Sequence, residues 1–488
     1  MSDVEETKED EITMHSDEGE EVGSSAELEE KKRIVNESQV SNNTTDLLLN
    51  VQNLYGTIVL GERKAVTSNA LVTEKKYALQ NIDECVAFIE EHKDSEYLAV
   101  AMILSVFEAV ALSDLPDLVR QLMDYLPESE VQHKDENEYG NKQSKYNPYI
   151  SLNSILSIIN GEQFTAEDGR LYVSLGKHAK QVLVNIAGQF PALHQIMTEW
   201  LIHLHEVFSY HTSFDAYQMV AALSRIISID IIDAKVHVFS RLYTNPNNAG
   251  LLGNLAYRLF KEAALKDEVA SIIIHWIQSS SIWLWKAACL AYTFLMEDDE
   301  EISFENKLKS KVCERILMFE GVEVSFFARL MMQSKYFRTL WAAALSDAFD
   351  QASTREKRID VAHLYIRVER HCYYQVSDFY VEMPLIACDT KQQQIYLAPI
   401  VKQVMVNYYL RRQLYAILGA YLRELSTYNF SENTINHISA FLHNMISGDI
   451  GYQQDVLYFV SQQKNKAATQ IYKRLCSIYR ERDICIHE

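Results

Sequence analysis

The chain has 488 residues and a formal net charge of −21, and its 48% hydrophobic content is ample for a large core. Seven Pro and 15 Gly are too few for an all-β fold, which needs many turn residues, so composition leans helical. The acidic balance speaks against general binding of nucleic acid or anionic membrane.

Residues 1–45 are read as a disordered acidic tail. The first 30 residues hold 13 Asp and Glu against one Lys, over half of the net charge, with scarcely any aliphatic clustering. This N-terminus lacks the basic and then apolar order of a secretory signal, and no apolar run reaches membrane-spanning length. The seven cysteines (Cys85, Cys289, Cys313, Cys372, Cys388, Cys476 and Cys485) are odd in number, scattered and without a C-x-x-C pair. They argue against a disulfide framework or a zinc site, and the expected location is the cytoplasm, or the nucleus. The tail reads as a solubilising segment, with docking on a basic partner as its functional alternative.

Residues 46–127 are expected to form an N-terminal helical subdomain. Leu47, Leu48, Val51, Leu54 and Tyr55 recur at helical spacing. Gly56 and Gly61 bracket a short apolar run that lacks the spacing of a phosphate loop. Tyr77–His92 and Tyr97–Leu112 look like an antiparallel helical pair, and Pro116 sits near the start of a third helix. Residues 128–148 are polar, aperiodic and end in Pro, which marks a linker. Residues 149–488 read as a helical-repeat body with C-terminal capping helices. Within it a turn falls at Asp168-Gly169, Gly188 and Pro191 split an apolar stretch, and Leu397–Leu425 reads as one long helical segment. The only strand-like alternation runs from Gln375 to Ile386.

The centre of the body is Ser279–Met296, SSSIWLWKAACLAYTFLM, which is apolar on more than one helical face and so predicts a helix packed on more than one side. Ser279–Ser281 offer an N-cap hydroxyl, and Glu297–Glu301 are expected to begin the next loop. Leu284-Trp285-Lys286-Ala287-Ala288 is echoed by Leu340-Trp341-Ala342-Ala343-Ala344, and Leu251–Tyr257 is a third apolar stretch with small residues. Small residues let a second helix backbone approach closely. This pattern resembles the inner helix of HEAT-type repeats, although the 56-residue echo exceeds the ~40 to 47 of that repeat. The resemblance implies an all-α multi-helical array, an α-solenoid of HEAT-like helical hairpins.

Trp283-Leu284-Trp285-Lys286-Ala287-Ala288 also looks like the W-L-R-R-A-A helix of alkylpurine DNA glycosylases, which are built on HEAT-like repeats. In that family an Arg of the motif holds the DNA backbone and an acidic residue after a Trp lies at the lesion. Here Trp285 replaces the first Arg and no convincing Trp-Asp segment lies upstream, so the likeness bears on fold more than on activity.

No catalytic, cofactor-binding or metal-binding set is legible. His194, His203, His205 and His211 are the densest histidine cluster, but His203 and His205 stand about 200° apart on a helix, unlike H-E-x-x-H ligands. His371-Cys372 and Cys485-Ile486-His487 have no partner at ligand spacing. Neither G-x-S-x-G nor G-x-G-x-x-G occurs. Tyr373-Tyr374 and Tyr408-Tyr409, the latter beside Arg411 and Arg412, fit helix packing better than base stacking. Lys464, Lys466, Lys473, Arg474, Arg480 and Arg482 form a modest basic region, read as the solvated face of a capping helix that could receive an acidic tail.

The expectation is therefore a non-enzymatic interaction or scaffold protein that binds a protein partner, perforce through exposed residues, or a regulatory part of a larger complex. The alternative is a HEAT-like nucleic-acid-binding or DNA-repair-related protein.

Overall fold

The computed structural model describes residues 76–93, 95–127, 152–208, 216–298, 300–318, 321–376, 391–427, 432–446 and 449–480. The acidic tail, the signals at 46–75, the 128–148 linker, His211, Cys388, Arg482, Cys485 and His487 lie outside these residues. So does the Gln375–Ile386 alternation, except that Gln375 and Val376 end a helix. The described residues contain 20 α-helices and three short strands, so the chain is all-α in class.

The N-terminal part mixes helices with a small sheet. Helix α1 (Ile82–His92) begins later than Tyr77 because the Asn81 side chain accepts from the N–H groups of Asp83 and Glu84, at 2.9 and 3.3 Å, and so fixes the first turn. Helix α2 (Glu96–Val106) is buried on all sides but stops short of Leu112. Phe107 turns extended, and strand β1 (Val110–Ala111) follows. Helices α3 (Leu115–Met123, Pro116 in its first turn) and α4 (Leu152–Ile158) come next, and then strands β2 (Glu162–Thr165) and β3 (Leu171–Ser174). The sheet is antiparallel in the order β1-β3-β2, with Val110 opposite Val173 and Phe164 opposite Tyr172. The Asp168-Gly169 turn is present: Gly169 takes φ +77, and Asp168 accepts from the Arg170 backbone N–H.

This sheet departs from the helical reading, because strands of two to four residues are too short to show alternation. Side chains tie the same region together across long stretches of sequence. Asn160 donates to the Tyr77 carbonyl, Asn185 to the Leu79 carbonyl, and Arg225 to the Val106 carbonyl and the Glu108 carboxylate. Helices α5 (Ala179–Gln189) and α6 (Pro191–Phe208) pack here, and α5 lies on α2.

From α7 onward the chain is a regular succession: α7 (Ala216–Ile229), α8 (Ile231–Leu242), α9 (Ala249–Phe260), α10 (Lys266–Gln278), α11 (Ile282–Glu297), α12 (Glu305–Arg315), α13 (Gly321–Gln333), α14 (Lys335–Gln351), α15 (Arg355–Val376), α16 (Lys391–Val406), α17 (Tyr408–Thr427), α18 (Glu432–Ile446), α19 (Ile450–Gln462) and α20 (Lys466–Arg480). Most of these helices pack on a sequence neighbour and on the helix two along. The row α10, α12, α14, α16, α18, α20 is continuous, and α7, α9, α11 and α13, α15, α17 form the facing row.

Helices two apart run in the same direction. On α8 and α10, Lys235 pairs with Glu268 and Trp276 donates to the Tyr243 hydroxyl, both at a sequence offset of 33. On α17 and α19, Arg411 pairs with Asp455 at an offset of 44, and Tyr415 stacks on Phe459 one turn further along both helices. The offset rises to 54 where Gln393 of α16 meets Thr339 of α14, because residues 377–390 lengthen the join between α15 and α16. A longer join shifts the offset without changing how the helices stack.

Helices α9 and α11 approach each other closely. A Cβ on Gly253 would stand 2.7 Å from Leu290 Cβ and 3.1 Å from the Ala287 carbonyl oxygen, so this crossing requires glycine. The small residues of Leu251–Tyr257 and of the central run meet here, as the pattern of the two stretches predicts. Helix α11 is buried from Leu284 to Leu295.

Its N-terminal end differs from expectation, whereas Asp298, Glu300 and Glu301 lie in the join that follows, as expected. Ser281 makes no capping bond with its side chain; the Ser279 hydroxyl accepts from the Ser281 N–H, and the Arg315 guanidinium donates to the carbonyls of Ser279 and Ser280. The acidic cluster after the helix is tied to neighbours: Asp298 accepts from the Tyr257 hydroxyl and pairs with Lys261, and Glu300 pairs with Lys266. The expected segment Leu397–Leu425 is broken at Asn407, whose side chain accepts from the N–H groups of Tyr409 and Leu410 and so starts a new helix.

Candidate interaction surface

The two tryptophan motifs meet in space. Trp285 of α11 and Trp341 of α14 lie in different rows, and both pack on Phe327 of α13, with ring centres 5.1 and 5.0 Å from it. Phe337 stacks on the same ring at 5.6 Å. The 56-residue echo is therefore a shared aromatic cluster and not the spacing of stacked helices, which is 33 to 44 over most of the array.

Lys286, in the second Arg position of the W-L-R-R-A-A pattern, is 5% exposed. Its ammonium lies 4.7 Å from the Trp283 ring centre and 5.1 Å from that of Phe326. Burial lowers its pKa to about 8, against the opposing field of the Glu323 carboxylate. An amine held this way between two rings is turned into the protein, where it cannot reach a phosphate backbone laid along the surface.

Among the described residues the histidines do not converge. His194 faces the Ile226 carbonyl at 3.4 Å, His203 is exposed beside Tyr125, and His205 meets the Asn248 side-chain oxygen at 2.9 Å. Burial lowers the pKa of His205, against the hydrogen bond with Asn248 and the field of Glu206. Cys372 is buried and donates to the Ala328 carbonyl. Cys85 and Cys289 are buried too; burial pushes the first up to about 11 and raises the second further, so neither supplies a thiolate near neutral pH.

Two surface features remain. At the corner between α16 and α17, Val406, Tyr408 and Tyr409 are all exposed, the tyrosines at 70% and 65%. The Asn407 cap sets this corner, and Arg411 behind it is fixed by Asp455 and lies over the Tyr452 ring. On α19, Tyr458 is 68% exposed; it was not anticipated, because a single aromatic in a helical run carries no sign of which way it faces.

The second feature is α20. It packs Ala467, Ala468, Ile471, Leu475 and Tyr479 inward against α17, α18 and α19, and presents Lys473 and Arg474 to solvent. Lys464 and Lys466 are exposed at the corner that leads into it.

No family model matches the chain, and no curated protein or solved structure does either. No described helix is long and apolar enough to cross a membrane.

Proposed function

We propose that the chain is a non-enzymatic scaffold or regulatory subunit, an α-solenoid of HEAT-like helical hairpins that holds a protein partner on its exposed helical surface. The observation that carries this reading is the same-direction stacking of helices two apart, at offsets of 33 residues between α8 and α10 and 44 between α17 and α19, with 54 across the longer join between α14 and α16. Such stacking is the construction of helical-hairpin repeats, whose function is to present a long continuous surface. The exposed Val406-Tyr408-Tyr409 corner supplies the kind of side chain that anchors protein interfaces, since tyrosine brings large area at low entropic cost. The nucleic-acid reading loses the contact that its motif would supply, because Lys286 is enclosed between Trp283 and Phe326.

The test is a gentle affinity purification of the full chain, treated with nuclease, beside the Tyr408→Ser/Tyr409→Ser variant. A stoichiometric protein that survives nuclease and is lost from the variant supports the reading. Loss of bound protein on nuclease treatment, or a turnover activity that tracks one side chain, would overturn it.

A further inference from the structure

We propose that the basic outer face of α20 is occupied by the chain's own acidic segment, residues 1–30.

Helix α20 carries Lys466, Lys473, Arg474 and Arg480 and no Asp or Glu. Lys466 and Lys473 stand seven residues apart, which places them on one face of the helix, and Arg474 stands beside Lys473. Lys473 and Arg474 are exposed and make no ion pair among the described residues. This contrasts with the array before it, where Lys235, Lys261, Lys266, Lys309 and Arg411 each reach a carboxylate on another helix or join. From residue 432 to 480 the chain has five Lys and Arg against three Asp and Glu, whereas the whole chain stands at −21. On this face the charges of Lys473 and Arg474 meet no carboxylate among the described residues.

The complementary charge is on the same chain. Residues 1–30 hold 13 Asp and Glu against one Lys, the densest acidic stretch in the sequence. Residues 31–75 join it to the described part, and 45 residues reach at most about 150 Å when extended. The row of helices from α7 to α19 spans about 60 Å at 8–10 Å per helix. The tail therefore reaches α20 from the other end of the array, at an effective concentration that an unlinked anion must compete with. An attraction of this kind is electrostatic and sequence-tolerant, so it is screened by salt and displaced by a denser polyanion.

The experiment uses the full chain after nuclease treatment. A carbodiimide, which joins a carboxylate to a lysine amine when the two are in contact, is added at low salt, and the monomer band is mapped by mass spectrometry. The expected result is cross-links from acids of residues 1–30 to Lys464, Lys466 or Lys473, falling about tenfold at about 1 M salt, where the Debye length is about 3 Å. In the Lys473→Glu/Arg474→Glu variant, whose helix content is checked by circular dichroism, the links to Lys464 and Lys466 fall to a similar extent. Cross-links spread evenly over exposed lysines elsewhere, or none at all, overturn the proposal. Links confined to a dimer band assign the face to a second copy and also overturn it. So does nucleic acid that copurifies with the untreated chain, is lost from the double variant, and leaves no tail cross-links once removed. None of these outcomes depends on finding a protein partner.

Discussion

Lys286 is the residue at which burial and charge are most directly opposed. Its ordinary pKa of 10.5 applies in the unfolded chain, and burial lowers it to about 8 in the fold. Below pH 8 the amine is charged in both states, and the fold bears the whole cost of burying it. Between about 8 and 10.5 the unfolded chain binds more protons, so the stability contributed by this site rises with pH, and above that range the penalty is gone. Contacts with Trp283 and Phe326 offset part of the cost. Lys286→Met is therefore expected to stabilise the fold at pH 7 by about 1–2 kcal/mol, with the advantage shrinking as pH approaches 10. Denaturant melts of both proteins at several pH values check this; an advantage that grows with pH would contradict it. Tyr243 offers a complementary case. Its hydroxyl is the acceptor for the fully buried Trp276 indole N–H at 2.8 Å. Tyr243→Phe leaves that donor unsatisfied and should destabilise by about 1–3 kcal/mol, read as a lower denaturation midpoint with an unchanged slope.

At the scale of the element, glycine separates two kinds of helical position. Gly253 has no room for a methyl group between α9 and α11, so Gly253→Ala should destabilise by about 1–3 kcal/mol. Gly188 in α5 is exposed and meets nothing within 4 Å, so Gly188→Ala should stabilise by about 0.5–1 kcal/mol. Thermal melts of the two variants should move in opposite directions, and a shared direction would refute the packing argument. The Gly253 crossing was foreshadowed in the sequence, because small residues at helical spacing imply close approach whatever the partner is. The arrest of α2 at Val106 was not, since the stop comes from pairing of β1 with a strand some 60 residues later, and local periodicity holds no record of a distant partner. Arg315 is a similar case: it satisfies the carbonyls of Ser279 and Ser280 from another helix, a role that the serine triplet itself conceals.

At the scale of the molecule, the all-α class followed from composition and periodicity, but the stacking interval did not. Joins of unequal length blur it, and the most conspicuous echo, Trp285 with Trp341, marks a meeting at Phe327. The surface was the least legible part, as Tyr458 shows: exposure is decided by neighbours that the sequence does not name. Helices α9 and α11 are buried almost throughout, whereas α19 and α20 each present a face to solvent. Amides of α19 and α20 are therefore expected to exchange with solvent before those of α9 and α11, in native-state hydrogen exchange followed by mass spectrometry. Simultaneous exchange throughout would mean that the array opens as one unit.

The contrast in how far apart in sequence contacts lie has a consequence for synthesis. In the array, hydrogen-bonded partners on successive stacked helices are 33 to 54 residues apart, so each layer can close soon after its chain leaves the ribosome. The N-terminal part is different: Arg225 reaches Val106 and Glu108 across 119 and 117 residues. The portion made first thus waits for residues made much later, carrying the apolar surface of α2 incomplete in the meantime. During translation, the start of the chain is the part that most needs protection from aggregation, while the rest assembles turn by turn behind it.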